Sequence, residues 1–246
     1  MSEMELFRAQ LADLGVQKGG VVLVHSSMKA LGTRRTPEEV IADLQAAVGE
    51  EGTLLFPALT YDNVTAEQPV FSSEETEPCI GLLPRVFMRL PGVMRSENPT
   101  HSVCARGRLA RELTSLHEKD DTAVGPHSPF MLLPLYAGKL LFLGDVLDAC
   151  TFMHGVEDIV RAPYLRDVPE RYVVNGKERI YCRRDNYGWG SEFGRIADIL
   201  SEPDLRKGKV GAANAYLVDT RALLAAAISR MREDPYAFVT DISRWL

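Results

Sequence analysis

Thr151, His154 and Glu157 stand three apart in TFMHGVE, so a helix there would carry all three side chains on one face. They follow GKLLFLG at 138–144, an apolar run that reads as a buried strand closing on a glycine turn. Polar groups just beyond a strand end are where α/β proteins commonly keep their chemistry. Imidazole has an ordinary pKa close to neutrality, which makes His154 a candidate general base. Glu157, one turn later, could stabilise the proton on that ring or fix its tautomer. The same spacing also suits a capped or solvent-facing ion pair, because it permits contact without establishing it. No H-E-x-x-H or compact liganding pattern is present, so these groups do not read as a metal centre.

A second group of polar residues follows another apolar run. VVLVH at 21–25 reads as a buried strand and leads into Ser26 and Ser27, with Lys29, Arg34 and Arg35 inside the next ten positions. Hydroxyls and cations at a strand end suit phosphates or a pantetheine-like chain, and a helix opening at Thr36 would add free amides. Ordinary solvated arginines account for the charges equally well. The dinucleotide and P-loop glycine patterns are absent. His101 and Ser102 enter a third apolar run and could line the same cleft. Without a G-x-S-x-G elbow, Ser102 reads as a fixed hydrogen-bond donor rather than a nucleophile. Asp62 follows a strand and could meet an amine substrate, or simply make a side-chain turn. His117 reads as helical and exposed, and His127 sits in a Gly-Pro-His-Ser-Pro turn. Tyr181, Tyr187, Trp189 and Phe193 read as core or rim, since no dense basic interleaving supports nucleic-acid stacking.

The frame that must position these residues is an α/β chain. With 246 residues and 46% hydrophobic content it can bury a full core, and one domain over residues 1–246 is expected. The formal charge of −6 opposes a uniformly basic nucleic-acid surface but leaves room for a local phosphate site. Cys79, Cys104, Cys150 and Cys182 are far apart with no C-x-x-C, so reduced and mostly buried thiols are expected. No basic-then-apolar leader pattern and no bilayer-length apolar run is present, which points to a soluble cytoplasmic protein without membrane or nucleic-acid partners.

Helical spacing covers residues 4–14, and Thr36, Pro37 and Glu39 announce a helix through Val48 by a capping box with proline in the first turn. TLLFPAL at 53–59 is a second strand, and 61–79 reads as a long surface loop. Helices over 80–90 and 108–117 flank a short strand at 101–105. DDTAVGPHSPF at 120–130 is irregular, suited to a cleft wall, a lid or plain turns. ERYVVNGKERIYCRR at 170–184 reads as two strands about an Asn175-Gly176 turn. Helices near 190–200 and 220–232 enclose KVGAANAYLVD, whose small residues suit close packing.

Taken in order, VLVHSSMKALG at 22–32, RSENPTHSVCARG at 95–107, HSPF at 127–130, GKLLFLG at 138–144 and TFMHGVE at 151–157 resemble the aminoglycoside 3-N-acetyltransferase family, also called the antibiotic N-acetyltransferase family. A weaker match through VGAANAYLVDTRALL extends the resemblance over nearly the whole chain. The resemblance implies a three-layer α/β fold of the antibiotic N-acetyltransferase type with a central mixed sheet, distinct from the Gcn5-related fold. It also implies an acetyl-CoA-dependent N-acetyltransferase needing no metal, acting on a small-molecule amine, with an aminoglycoside 3-amino group as one candidate. His154 then resembles the family's general base and Glu157 its partner. Ser26 and Ser27, with Lys29, Arg34 and Arg35 close by, match the segment implied for CoA, as does Ser102 in its own segment. Thr151 and Asp62 are placed with the acceptor. The sequence departs from the family at Asn98, where many relatives carry a histidine before the proline. Thioester hydrolysis and non-catalytic CoA binding are the competing readings, and monomer and homodimer both remain open.

Overall fold

A computed structural model describes residues 2–243. The first helix, α1 (Glu3–Leu14), begins with a capping box between Ser2 and Glu5 and buries Phe7, Leu11 and Leu14 on one stripe. Strand β1 (Val21–Ser26) follows, then a single turn of helix, α2 (Met28–Leu31), capped by the Ser27 hydroxyl. The expected helix after Thr36 is α3 (Pro37–Val48), with the Thr36–Glu39 box formed and Pro37 at its first turn. Next come β2 (Thr53–Pro57), β3 (Val70–Phe71), α4 (Leu82–Phe87), β4 (Met94–Arg95), β5 (Val103–Gly107) and α5 (Ala110–Thr114). The expected helices over 80–90 and 108–117 are thus shorter, and the second gives way to a 3-10 turn at His117–Lys119. Neither has a side-chain cap at its start.

Beyond α6 (Pro129–Leu132) lies β6 (Lys139–Leu143), and then α7 (Phe152–Val160), the helix that carries His154. A long hairpin, β7 (Arg166–Val174) and β8 (Lys177–Asp185), turns at Asn175 and Gly176, both with positive φ as a primed turn requires. The chain closes through β9 (Trp189–Ser191), α8 (Ile196–Ile199), β10 (Leu205–Val210), β11 (Ala213–Asp219), α9 (Thr220–Glu233) and β12 (Val239–Asp241). The segment expected only to pack closely is therefore a hairpin, and the expected helix near 190–200 shrinks to one turn of 3-10 and one of α.

Seven strands form the central mixed sheet in the order β10-β11-β6-β1-β2-β5-β4. The middle three, β6, β1 and β2, are parallel, and every other pairing is antiparallel. Alternation along the strands feeds two cores, one on each face. Val22, Val24, Leu54 and Phe56 pack beneath α1, α3 and α4, while Leu23, Leu55, Leu140 and Phe142 pack beneath α7 and α9. Three layers result, as expected from the family resemblance. Arg8 and Arg35 both clasp the buried Asp43, joining α1 to α3. A smaller sheet, β3-β7-β8, stands apart with a core of its own made by Val64, Phe71, Tyr172, Val174 and Tyr181. The 61–79 segment is thereby more than a loop, since β3 within it pairs in parallel with β7.

Parallel strands end on one edge of a sheet, so β1, β2 and β6 release Ser26, the 58–61 segment and the Gly144 turn together. Because β5 runs the other way, its start at His101–Val103 reaches the same edge. Gly144 has φ 118, and a side chain there would press on Ala30 and Ser27. That close approach sets the turn after β6 against α2.

Candidate active site

A cleft of about 820 Å³ opens at this edge, lined by Ser26, Thr100, His101, Thr151, His154 and Glu157 from the central body. Its opposite wall comes from the smaller sheet and its loop, including Glu67, Glu170, Tyr172, Tyr181, Arg183 and Arg184. Ala123 and Val124 also line it, so the 120–130 segment contributes a wall.

The expected pair is in contact: Nδ1 of His154 lies 2.8 Å from Oε2 of Glu157. His154 is 39% exposed and Glu157 3%, so the ring meets the cleft while the carboxylate is shielded beneath it. A carboxylate can only accept, so in the neutral ring the proton belongs on Nδ1 and Nε2 is the acceptor nitrogen. The ring is further held edge-on by Phe193, with centroids 5.0 Å apart, and by His101 at 5.9 Å. Thr151 lies just before the helix and lines the cleft beside them. A residue the sequence did not point to completes the arrangement: the Tyr164 hydroxyl donates to Oε1 of Glu157 at 2.7 Å. Burial, followed by the adjoining carboxylate, holds that hydroxyl's pKa above its ordinary value.

His101 is presented by the departure at Asn98. This buried amide donates to the Thr122 carbonyl at 3.0 Å, and its oxygen accepts from the backbone N–H of His101 at 2.8 Å. Asn98 therefore builds the turn rather than reaching the cleft. Burial first, and the neighbouring His154 second, push the pKa of His101 well below its ordinary value. His101 is thus a neutral ring between Tyr61 and His154. His25 also lines the cleft, stacked on Phe142 across the β1–β6 register.

Several expected residues are placed elsewhere. Ser102 is fully buried, donates to the Ala58 carbonyl at 2.8 Å and accepts from Arg95 Nε at 2.9 Å, so it fastens the loop to β5 and does not line the cleft. Arg35 is turned onto Asp43 and the Glu39 carbonyl, outside the cleft lining. Ser27 caps α2, while Lys29 within it and Arg34 beyond it are exposed and outside the cleft lining. Asp62 is exposed next to Tyr61, outside the lining. His117 is buried rather than exposed, with Nδ1 2.9 Å from Ser96 Oγ and Nε2 turned to the Ala123 carbonyl. His127 pairs with the buried Asp120 at 2.8 Å.

All four cysteines are free. Burial pushes the thiols of Cys104 and Cys150 up to about 12, which keeps them from acting as thiolates. Among the described residues, no group of three or more His, Cys, Asp or Glu is arranged to hold a metal ion. No helix among them is long and apolar enough to cross a membrane. Charge in the cleft is predominantly negative. Glu67, Asp148, Glu157, Asp158 and Glu170 face two arginines, of which Arg183 is bound to Glu170 and Arg184 to Asp158.

The family model described as aminoglycoside 3-N-acetyltransferase matches residues 23–232. Aminoglycoside N(3)-acetyltransferase III of Serratia marcescens is 34% identical, over 95% of this chain and 98% of its own length. Among solved structures, the chain is similar to a histidine-to-alanine mutant of AAC(3)-IVa in complex with a gentamicin, with a TM-score of 0.82, 29% identity and coverage of 94% of this chain and 89% of that one. It is also similar to the binary complex of AAC-IIIb with CoASH, with a TM-score of 0.78, 26% identity and coverage of 94% and 97%.

Proposed function

The chain belongs to the aminoglycoside 3-N-acetyltransferase family of acetyl-CoA-dependent N-acetyltransferases, and from that premise we propose that it acetylates a primary amine on a cationic small molecule, with His154 as general base. An aminoglycoside 3-amino group is the leading acceptor, because a named relative and a gentamicin-bound neighbour share the fold and the cleft here is rich in carboxylates. The observation that carries the reading is the His154–Glu157 contact at the cleft floor, with the imidazole exposed and the carboxylate buried.

In this reading Nε2 of His154 accepts a proton from the amine as nitrogen attacks the thioester carbonyl. Glu157 stabilises the imidazolium, the carbon–sulfur bond breaks, and the departing CoA thiolate takes up a proton. Proton transfer by a placed base contributes roughly 10²- to 10⁴-fold, and holding the reactants together adds to it. Direct attack is favoured over an acyl-enzyme because Cys104 and Cys150 are buried and protonated. Thr151 lines the cleft and is available to the developing oxyanion, whereas Ser102 is committed to Ala58 and Arg95. Ser26 and the α2 turn are assigned to the CoA side, with Lys29 of that turn and Arg34 beyond it exposed to meet phosphate. Acetyl-CoA as donor puts the reaction in the cytoplasm.

The test is an acetyl-CoA consumption screen across aminoglycosides, amino sugars and small polyamines, with mass detection of products. Amine-dependent CoA release with an acetylated amine is expected. CoA release that no amine accelerates would make the protein a thioester hydrolase, and CoA binding without turnover would make it a non-catalytic binder. Either result contradicts the proposal.

A further inference from the structure

Glu157 is held from two sides. Oε2 meets Nδ1 of His154 at 2.8 Å and Oε1 accepts the Tyr164 hydroxyl at 2.7 Å. With the residue only 2% exposed, these two hydrogen bonds stand in for the water that would otherwise solvate its charge. Tyr164 lies seven positions on, beyond Arg161, whose φ of 54 ends α7 and turns the chain back beneath it. The Ala162 N–H returns to the Glu157 carbonyl at 3.0 Å, so the turn itself is tied to the residue it serves.

The Tyr164 ring is in turn clamped. It is 5% exposed, with Trp189 at 6.0 Å and Tyr236 at 5.7 Å between ring centroids, and those two rings pack on each other at 4.6 Å. Trp189 opens β9, which pairs antiparallel with β12, and Arg195 binds the carbonyls of Ala237 and Val239 at 3.1 and 3.3 Å. The raised pKa of Tyr164 keeps its hydroxyl a donor throughout the neutral range.

We propose that Tyr164 is a positioning residue for the transfer reaction, pinning one oxygen of Glu157 so that the other holds His154 in the tautomer that offers Nε2 to the amine. The inference rests on the base assignment made under the proposed function. Without the hydroxyl, the buried carboxylate has one fixed partner and can rotate about its terminal bond, which loosens the imidazole it orients. A ring packed only for stability would act on folding and leave the chemical step alone.

Tyr164→Phe keeps the ring and its aromatic neighbours and removes the donor. In the full-length enzyme with acetyl-CoA and an active amine, kcat is expected to fall roughly tenfold, a normal effect for one lost hydrogen bond to a charged group. Both KM values are expected to stay within about twofold. The downfield proton resonance of the His154 Nδ1–H should move or broaden in the variant. Added to Glu157→Gln, Tyr164→Phe should lower kcat by less than about twofold further, because its route to the reaction is already cut. A kcat for Tyr164→Phe within about twofold of the parent, or full multiplication of the two effects in the double variant, overturns the proposal. Loss of turnover in Glu157→Gln with Tyr164→Phe unaffected overturns the role of Tyr164 alone. Unchanged turnover in Glu157→Gln overturns the coupling of Glu157 to His154 on which the proposal stands.

Discussion

The two walls of the cleft are built by opposite means. On one side a seven-stranded sheet with a core on each face carries His154 on α7, braced by Phe193 and by the buried Glu157. On the other, the β3-β7-β8 sheet has a five-residue core and is joined to the rest by side-chain ties such as Arg184 to Asp158 and Arg179 to Glu118. Packing density fixes atoms to fractions of an ångström, whereas a few part-buried ion pairs on long side chains hold their sheet less rigidly. On the proposed reading the body places the base, and the small sheet with its loop, whose Glu67 and Glu170 line the cleft, faces the acceptor. Placement of chemistry and choice of partner can then vary separately.

The largest effect expected from this division lies in the body. His154→Gln should lower turnover with an active amine by roughly 100-fold or more, with acceptor KM little changed and folding intact by circular dichroism. Turnover within about threefold of the parent would remove the base from that wall.

A smaller effect, and a different one, is expected from Phe71→Ala. Phe71 is the central ring of the small core and has the Arg95 guanidinium 5.0 Å from its centroid. Emptying that site should loosen β3 and β7 and raise KM for the amine several-fold while KM for acetyl-CoA holds. Limited proteolysis should nick the 61–79 and 166–185 segments before any other. A parallel rise in both KM values would mean that the two walls act as one.

The smallest effect concerns stability against pH. His25 and His117 are buried neutral, with burial lowering each from 6.5 to about 3. Below the unfolded value of 6.5 the unfolded chain binds protons that the folded chain refuses, so stability is complete above it and falls as pH drops toward 3. Each group contributes roughly 1 kcal/mol per pH unit within that window. Tm measured between pH 7 and pH 5 should therefore decline, and His117→Asn should flatten the slope. A Tm that stays level in the parent would show these rings to be hydrated.

What could be read from the chain follows the range of the contact. The His154–Glu157 pair was legible because three positions on a helix bring side chains together whatever the surrounding fold. Tyr164 was not, because its approach depends on the reversal at Arg161, a left-handed residue that nothing in its type announces. The β1, β2 and β6 strands were visible as apolar runs, and so was the Asn175-Gly176 turn. The pairing of Val70 with Val173 joins residues 103 positions apart, and a two-residue strand leaves no periodicity to find. Ser102 and Arg35 carried the right chemistry for a ligand, but polar type alone cannot tell a cleft from a buried partner, and Arg95 and Asp43 had already claimed them. His117 looked exposed for the same reason, since Ser96 and the Ala123 carbonyl satisfy it from other segments.

The central claim is geometric and is tested most directly by the structure of His154→Gln with acetyl-CoA and an accepted amine bound together. The reacting nitrogen is expected within about 3.5 Å of the thioester carbon and, with the parent ring overlaid, within about 3.2 Å of Nε2 of His154. A reacting nitrogen bound next to the thioester but beyond reach of that ring, even through one water, would contradict it.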